Sequence, residues 1–225
     1  MLGMRFIKSQ PTTHLMQFRK GKVVREGAGQ SFFYYGPTST VVAVPVGSQD
    51  RPFILELVTV DFQSITVQGQ VTFRVTDPRR IASLMDFSLA PDGRGFTSED
   101  PQRLGERVAM QAEVIVRQTV QQMDLKQALR SSASIAQDCQ QRLASQAEVM
   151  ALGLEVLGVS VLAIKPTPDM ARALEAEARE SNLKAADEAI FQRRMSAVEN
   201  ERAVRESELD TDVAVEQKKR QISEA

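Results

Sequence analysis

The sequence has no tryptophan, one cysteine (Cys139), one histidine (His14) and two tyrosines. A single cysteine cannot close an intramolecular disulfide, so oxidation plays no part in the fold and a reducing compartment is compatible with it. There is no cluster of Cys and His to bind zinc, no Gly-x-Ser-x-Gly elbow and no P-loop lysine. Gly27-x-Gly29 and Gly93-x-Gly95 are two-glycine fragments, too common to mean nucleotide binding. A nucleophilic pair of His14 and Cys139 would need the two adjacent in space with a third group to orient them; Cys139 on a helical face reads instead as a small hydrophobe. No catalytic residue, cofactor or metal is expected.

Excess charge and long apolar runs are missing too. A net charge of -1 argues against nucleic acid, whose partners usually carry a basic excess. No run approaches the length needed to span a bilayer, and Met1 to Gln10 lacks the apolar core of a signal peptide. Glycine stands at position 3 rather than 2, so the myristoylation pattern is not met. The last glycine is Gly158 and the last proline Pro168. Beyond them nothing breaks a helix, which marks a boundary. Acidic residues are absent before Glu26, so Arg5, Lys8, Arg19, Lys20, Lys22 and Arg25 form a purely basic beginning.

What is there is organised around residues 51–77. Ile65, Val67, Gly69, Val71, Phe73 and Val75 alternate with polar residues, the period of a strand with one buried face. Phe53 to Val60 is a second β-rich run, and Asp61 to Ser64 a break that lets the two pair as a hairpin. Asp77-Pro78 caps and opens a short helix with Ile81, Leu84 and Met85. Upstream, His14–Phe18 and Val23-Val24 flank a glycine turn, Gly27 to Gly29 reads as a loop, and Ser31–Tyr35 and Thr40–Val46 are strands, making one meandering sheet of about five or six. Downstream, residues 87–100 read as an exposed loop. Asp100-Pro101 starts a helix with Leu104, Val108, Ala112, Ile115, Thr119 and Met123 on one face. Asp124 caps the next, and Ile135, Cys139, Leu143, Ala147 and Met150 mark a third that Gly153 ends. Leu154 to Ile164 is apolar on both faces and reads as a strand covered on both sides. Asp169 then caps a last helix.

The combination of Arg25-Glu26-Gly27 with Gly29 and Phe32, Val60-Asp61, and Val67, Val71, Phe73 and Val75 running into Asp77-Pro78 resembles the SPFH or band 7 domain of stomatins, prohibitins, flotillins and bacterial membrane-protease regulators. The likeness continues to Gly153 and Val156–Ile164, covering roughly residues 11 to 200. The expected class is thus α+β: an SPFH-like domain with a mainly antiparallel twisted sheet packed by helices, then a long Ala/Glu/Arg-rich helix. The expected divisions are an N-terminal segment at 1–10, the domain at 11–168 and the helix at 169–225.

The resemblance implies a non-enzymatic scaffold that forms high-order homo-oligomers, organises a membrane microdomain or restrains a membrane protease or other membrane client, and lies peripherally on the cytoplasmic face. A soluble vault-like shell component or adaptor in the cytoplasm is the alternative. Residues 170–225 would reach roughly 85 Å as one helix, too long to fold back on such a domain. Pairs such as Glu175–Arg179, Glu201–Arg205 and Glu216–Arg220 support it. A heptad seam links Ala176, Leu183, Ile190, Ala197 and Val204 with Ala186, but Arg193, Asn200 and Ser207 interrupt it, which favours helices side by side in an assembly over a two-stranded coil. The pattern still runs at Ser223-Glu224-Ala225, so a cut end is expected. For a membrane-facing edge, the candidates are Arg19, Lys20, Lys22 and Arg25 with the aromatic strand Phe32, Phe33, Tyr34 and Tyr35. Alternation sends two of those aromatics to each face.

Overall fold

The alternating stretch becomes the middle strand of a three-stranded antiparallel sheet, and the rest of the domain is arranged on that sheet and on a second layer before it. The computed structural model describes residues 3–91, 93 and 95–223, with side chains through Val215 and at Lys218. In chain order the elements are β1 Met4–Lys8, β2 Thr13–Arg19, β3 Lys22–Ala28, β4 Ser31–Tyr35, a 3-10 turn Gly36–Thr38, β5 Ser39–Pro45, β6 Gln49–Val58, β7 Ser64–Val75, α1 Pro78–Leu84, α2 Asp100–Val120, α3 Leu125–Arg130, α4 Ser132–Ala144, α5 Ala147–Ala151, β8 Leu154–Pro166 and α6 Pro168–Ser223. The class is α+β as expected. Two units are separately compact, Met1–Thr167 and Pro168–Ala225.

β6, β7 and β8 form the central sheet in that order, so the late strand does insert beside an early one. Ile65, Val67, Gly69, Val71, Phe73 and Val75 are buried, and α2 and α4 pack on the sheet. α2 contributes Leu104, Val108, Ala112, Ile115, Val116 and Val120, while Met123 lies beyond its end. The β6–β7 tip is locked to α3. Thr59 donates its hydroxyl to the Asp61 carboxylate, which accepts the Leu125 N–H at 3.2 Å, and Val60 N–H bonds Met123 O at 3.0 Å. The Thr59 hydrogen bond and the Leu125 amide hold the Asp61 carboxyl below its ordinary value.

A depressed folded-state pKa stabilises the fold above the unfolded value, near 3.8, and that contribution disappears as pH falls through the folded value. Asp61→Ala is therefore expected to lower the thermal midpoint at pH 7, with the gap to the parent closing in melts below pH 3.8. A gap independent of pH would place the effect elsewhere.

The strands before the central sheet do not form a single meander. They separate into a three-stranded sheet, β3-β2-β5, and a two-stranded one, β1-β4. The first hairpin turns at Lys20-Gly21 with φ of +49° and +73°, the left-handed pair that a two-residue hairpin turn uses. Gly27 and Ala28, expected in a loop, belong to β3 and pair with Leu15 and His14. Residues 4–8 are no separate N-terminal segment, because β1 pairs along its whole length with β4. Leu15, Phe32, Tyr34, Val41 and Ala43 then form a core between these two sheets, with Ile7 and Leu89 against it. The 87–100 segment is also less open than a loop: Phe87 is buried, and Ser88 bridges Val42.

The long apolar helix expected through Met150 is broken. α4 stops at Ala144, Gln146 is extended at ψ 129°, and α5 begins at Ala147. Val149 is buried in place of Met150, which is exposed. Gly153 turns at φ +68° into β8, as its position after α5 requires. β8 is not covered on both sides. Register shifts against β7 leave Leu157 and Leu162 as extra residues without a partner, and both are exposed. Asp169 lies inside α6 rather than capping it, in the first turn and paired with Arg172 at 3.2 Å.

Candidate functional site

Two surfaces stand out. The first is the outer face of the β1–β4 ribbon. The register pairs Met4 with Tyr35, Phe6 with Phe33 and Lys8 with Ser31, so these six share one side while Ile7, Phe32 and Tyr34 turn to the core. Phe6 and Phe33 stack with centroids 4.8 Å apart and remain 56% and 65% exposed. Met4 and Tyr35 are exposed beside them. Of the four aromatics proposed for a membrane edge, Phe33 and Tyr35 face out; Phe32 and Tyr34 do not, being 5% and 7% exposed.

The alternation of β4 dictates this split. Met4 and Phe6 were missed because a five-residue strand carries too little periodicity to be seen before its partner is known. Arg19, Lys20, Lys22 and Arg25 are all exposed on the β2–β3 hairpin. Arg25 lies over the Phe32 ring at 5.8 Å, which brings that hairpin beside the ribbon.

The second surface is α6, whose 56 residues span about 84 Å at 1.5 Å per residue. Leu183, Ile190 and Val204 of the expected seam are exposed, as are Ala186 and Ala197. A further set was not read from the sequence: Phe191, Met195 and Val198 at i, i+4 and i+7, followed by Leu209 and Val213, all exposed. At about 100° per residue this set lies roughly a third of a turn from the seam, with Asp187, Arg194, Arg205 and Asp212 between them. The helix thus carries two apolar stripes. Heptad bookkeeping follows a single seam and passes over the second. Of the expected supporting pairs, Glu201–Arg205 forms at 2.8 Å, joined by Glu180–Lys184 at 2.9 Å. The side chains of Glu216 and Arg220, and the last two residues, Glu224 and Ala225, lie outside what the structure describes.

Among the described residues, no reactive groups are brought together in a comparable assembly. Cys139 is buried in α4 with its sulfur 3.8 Å from the Ala112 carbonyl oxygen, and burial pushes its thiol up to about 11, far from a reactive thiolate. His14 lies on β2, its Nε2 buried with no hydrogen-bond partner. Nearby, Arg79 of α1 holds the Glu26 carboxylate of β3, which lowers the pKa of Glu26 and fastens the helix to the sheet. Among the described residues, no group of three His, Cys, Asp or Glu is placed to hold a metal ion.

The model of the SPFH domain / Band 7 family matches residues 7–210, most of the chain. The protein belongs to the SPFH/Band 7 family. Comparison with curated proteins finds no match. The family is membrane-associated, and its members are generally non-enzymatic scaffolds or regulators. In this SPFH protein, no described helix is long and apolar enough to cross a membrane. The matched region includes β4 with the last two residues of β1, Ile7 and Lys8, and most of α6, while Met4 and Phe6 precede it.

Proposed function

We propose that the chain is a non-enzymatic scaffold whose copies assemble through α6 and which rests on an anionic membrane surface through the β1–β4 ribbon, enclosing a patch of membrane or a membrane-protein client such as a protease. The observation that carries this reading is α6 itself: a long helix with two exposed apolar stripes has a use for two neighbours, one on each side. Side-by-side packing in a ring supplies both, whereas a two-stranded coil covers only one stripe.

The membrane half rests on chemistry. Phe6, Phe33, Tyr35 and Met4 offer an aromatic plate of the kind favoured at the lipid headgroup level. Lys8, Lys20, Lys22 and Arg25 add cations worth about 1 kcal/mol each near an anionic leaflet. The position of the plate on the cytoplasmic leaflet is part of the proposal.

Gradient flotation with vesicles containing phosphatidylserine tests it. The full chain is expected to float at low salt, to bind several-fold less at high salt, and to lose most binding in Phe6→Ser/Phe33→Ser and in Lys20→Gln/Lys22→Gln. A chain that never floats, at any salt, while still assembling would overturn the membrane half and leave a soluble shell component in the cytoplasm.

A further inference from the structure

The central sheet has a second unpartnered surface that neither the ribbon nor α6 uses. On the side opposite the buried row of Leu55, Leu57, Ile65 and Val67, one line across the sheet runs Glu56, Thr66, Lys165, and the next runs Ile54, Gln68, Ala163. Glu56 and Ile54 stand on β6, one edge of the sheet; Lys165 and Ala163 stand on β8, the other edge. Ile54 is 67% exposed, and so is its counterpart across the sheet, the unpaired bulge residue Leu162 next to Ala163, at 65%. Val58 is a second exposed apolar residue on β6. Among the described residues neither Glu56 nor Lys165 has an ion pair within the chain.

We propose that the β6 edge of one copy docks side chain to side chain against the β8 edge of the next, Glu56 against Lys165 and Ile54 against Leu162. The register carries the inference. β6 and β8 both run antiparallel to β7, so they run parallel to each other. A neighbour displaced sideways, without rotation in the sheet plane, therefore brings its β6 alongside β8 at the same height. At that height the acidic row end meets the basic one and, one row away, isoleucine meets leucine. Two matches arise from one displacement, which is what a head-to-tail contact between identical copies requires; a small turn per copy closes such a contact into a ring.

The contact is made by side chains because both edges are blunted for backbone pairing. Pro52 removes an N–H from β6, and two register shifts interrupt β8. This inference rests on the assembly reading but places a second contact in the domain, apart from α6.

Charge reversal in the full chain tests it. Glu56→Lys puts lysine against Lys165 at every contact, and Lys165→Glu puts glutamate against Glu56. Each variant alone is expected to need roughly tenfold more protein for half-assembly, because like charges face each other. Mixed in equal amounts they are expected to recover the parent's midpoint, since every contact of an alternating ring is then Lys with Glu, and the particles should contain only even numbers of subunits. Mass photometry and electron microscopy read both quantities, and circular dichroism of each variant confirms folding. Variants that assemble as the parent does, or a mixture no better than either variant alone, would overturn the contact while leaving assembly through α6 intact. A parent that stays monomeric at every concentration overturns both.

Discussion

Ended at Thr167, the chain is expected to remain folded and to be a monomer at concentrations where the full chain assembles, the contact between sheet edges being too weak to hold copies together by itself. Residues Met1–Thr167 form a compact unit of their own, with α2, α4 and β8 inside it, so the cut removes no part of the domain core. What it removes is the apolar surface of α6: Leu183, Ile190, Phe191, Met195, Val198, Val204, Leu209, Val213 and Val215, each 45–65% exposed. Taking about 1 kcal/mol for each, roughly half the value for full burial of such a side chain, their combined contribution to association is on the order of 10 kcal/mol before ordering costs.

If only a third of that survives as net affinity, its loss is more than about a hundredfold in the association constant. Sedimentation velocity of the full and shortened chains, with matched thermal melts, checks it. Leu183→Glu/Ile190→Glu, which keeps the helix and charges one stripe, should give an intermediate assembly defect. A full chain that sediments as a monomer would remove the basis of the assembly reading.

The second large effect is expected at Gly69. It lies mid-strand on the buried side of β7, where the alternation alone would call for a valine or isoleucine. A Cβ there would run into the Phe53 ring and stand 2.6 Å from the Ser160 carbonyl oxygen of β8. The first obstacle is a side chain that another residue can replace; the second is backbone.

Gly69→Val is accordingly expected to cost about 3 kcal/mol, at the upper end for overpacking a core. Adding Phe53→Ala should recover only part of it, because the clash with the β8 carbonyl remains. Urea unfolding of parent, single and double variants measures this. Full recovery in the double variant would mean that Phe53 alone excludes a side chain at this position.

Gly69 also shows the limit of reading the chain by pattern. Its place on the inner face was legible, but the reason it has no side chain was not, because Phe53 and Ser160 approach it from two other strands. The same holds at Leu162. In sequence it continues an apolar run that reads as burial on both faces; in the fold it is the extra residue of a bulge and points to solvent. The break between α4 and α5 at Ser145-Gln146 has no glycine or proline to announce it. There the Gln146 side chain bonds Gln111 of α2 at 2.9 Å, a partner 35 residues away.

The candidate surfaces divide in the same way. The basic hairpin, the two-and-two division of the aromatic strand and one apolar stripe of α6 were visible in the sequence, whereas which two aromatics face out, Met4, Phe6, the second stripe and the Glu56–Lys165 row were not.

Local chemistry, then, was determined by the sequence alone. Asp77 and Asp124 cap their helices, Gly21 and Gly153 take the left-handed turns, the alternation of β7 names its buried side, and the absence of helix breakers after Pro168 leaves one long helix. These features depend on backbone preferences and on neighbours within a few residues. Only the tertiary structure decided how the described strands divide into separate sheets, which aromatics remain in solvent, and which charges stand in one row at opposite edges. Each of those outcomes is settled by pairing between segments distant in the chain, where register rather than composition selects the neighbours.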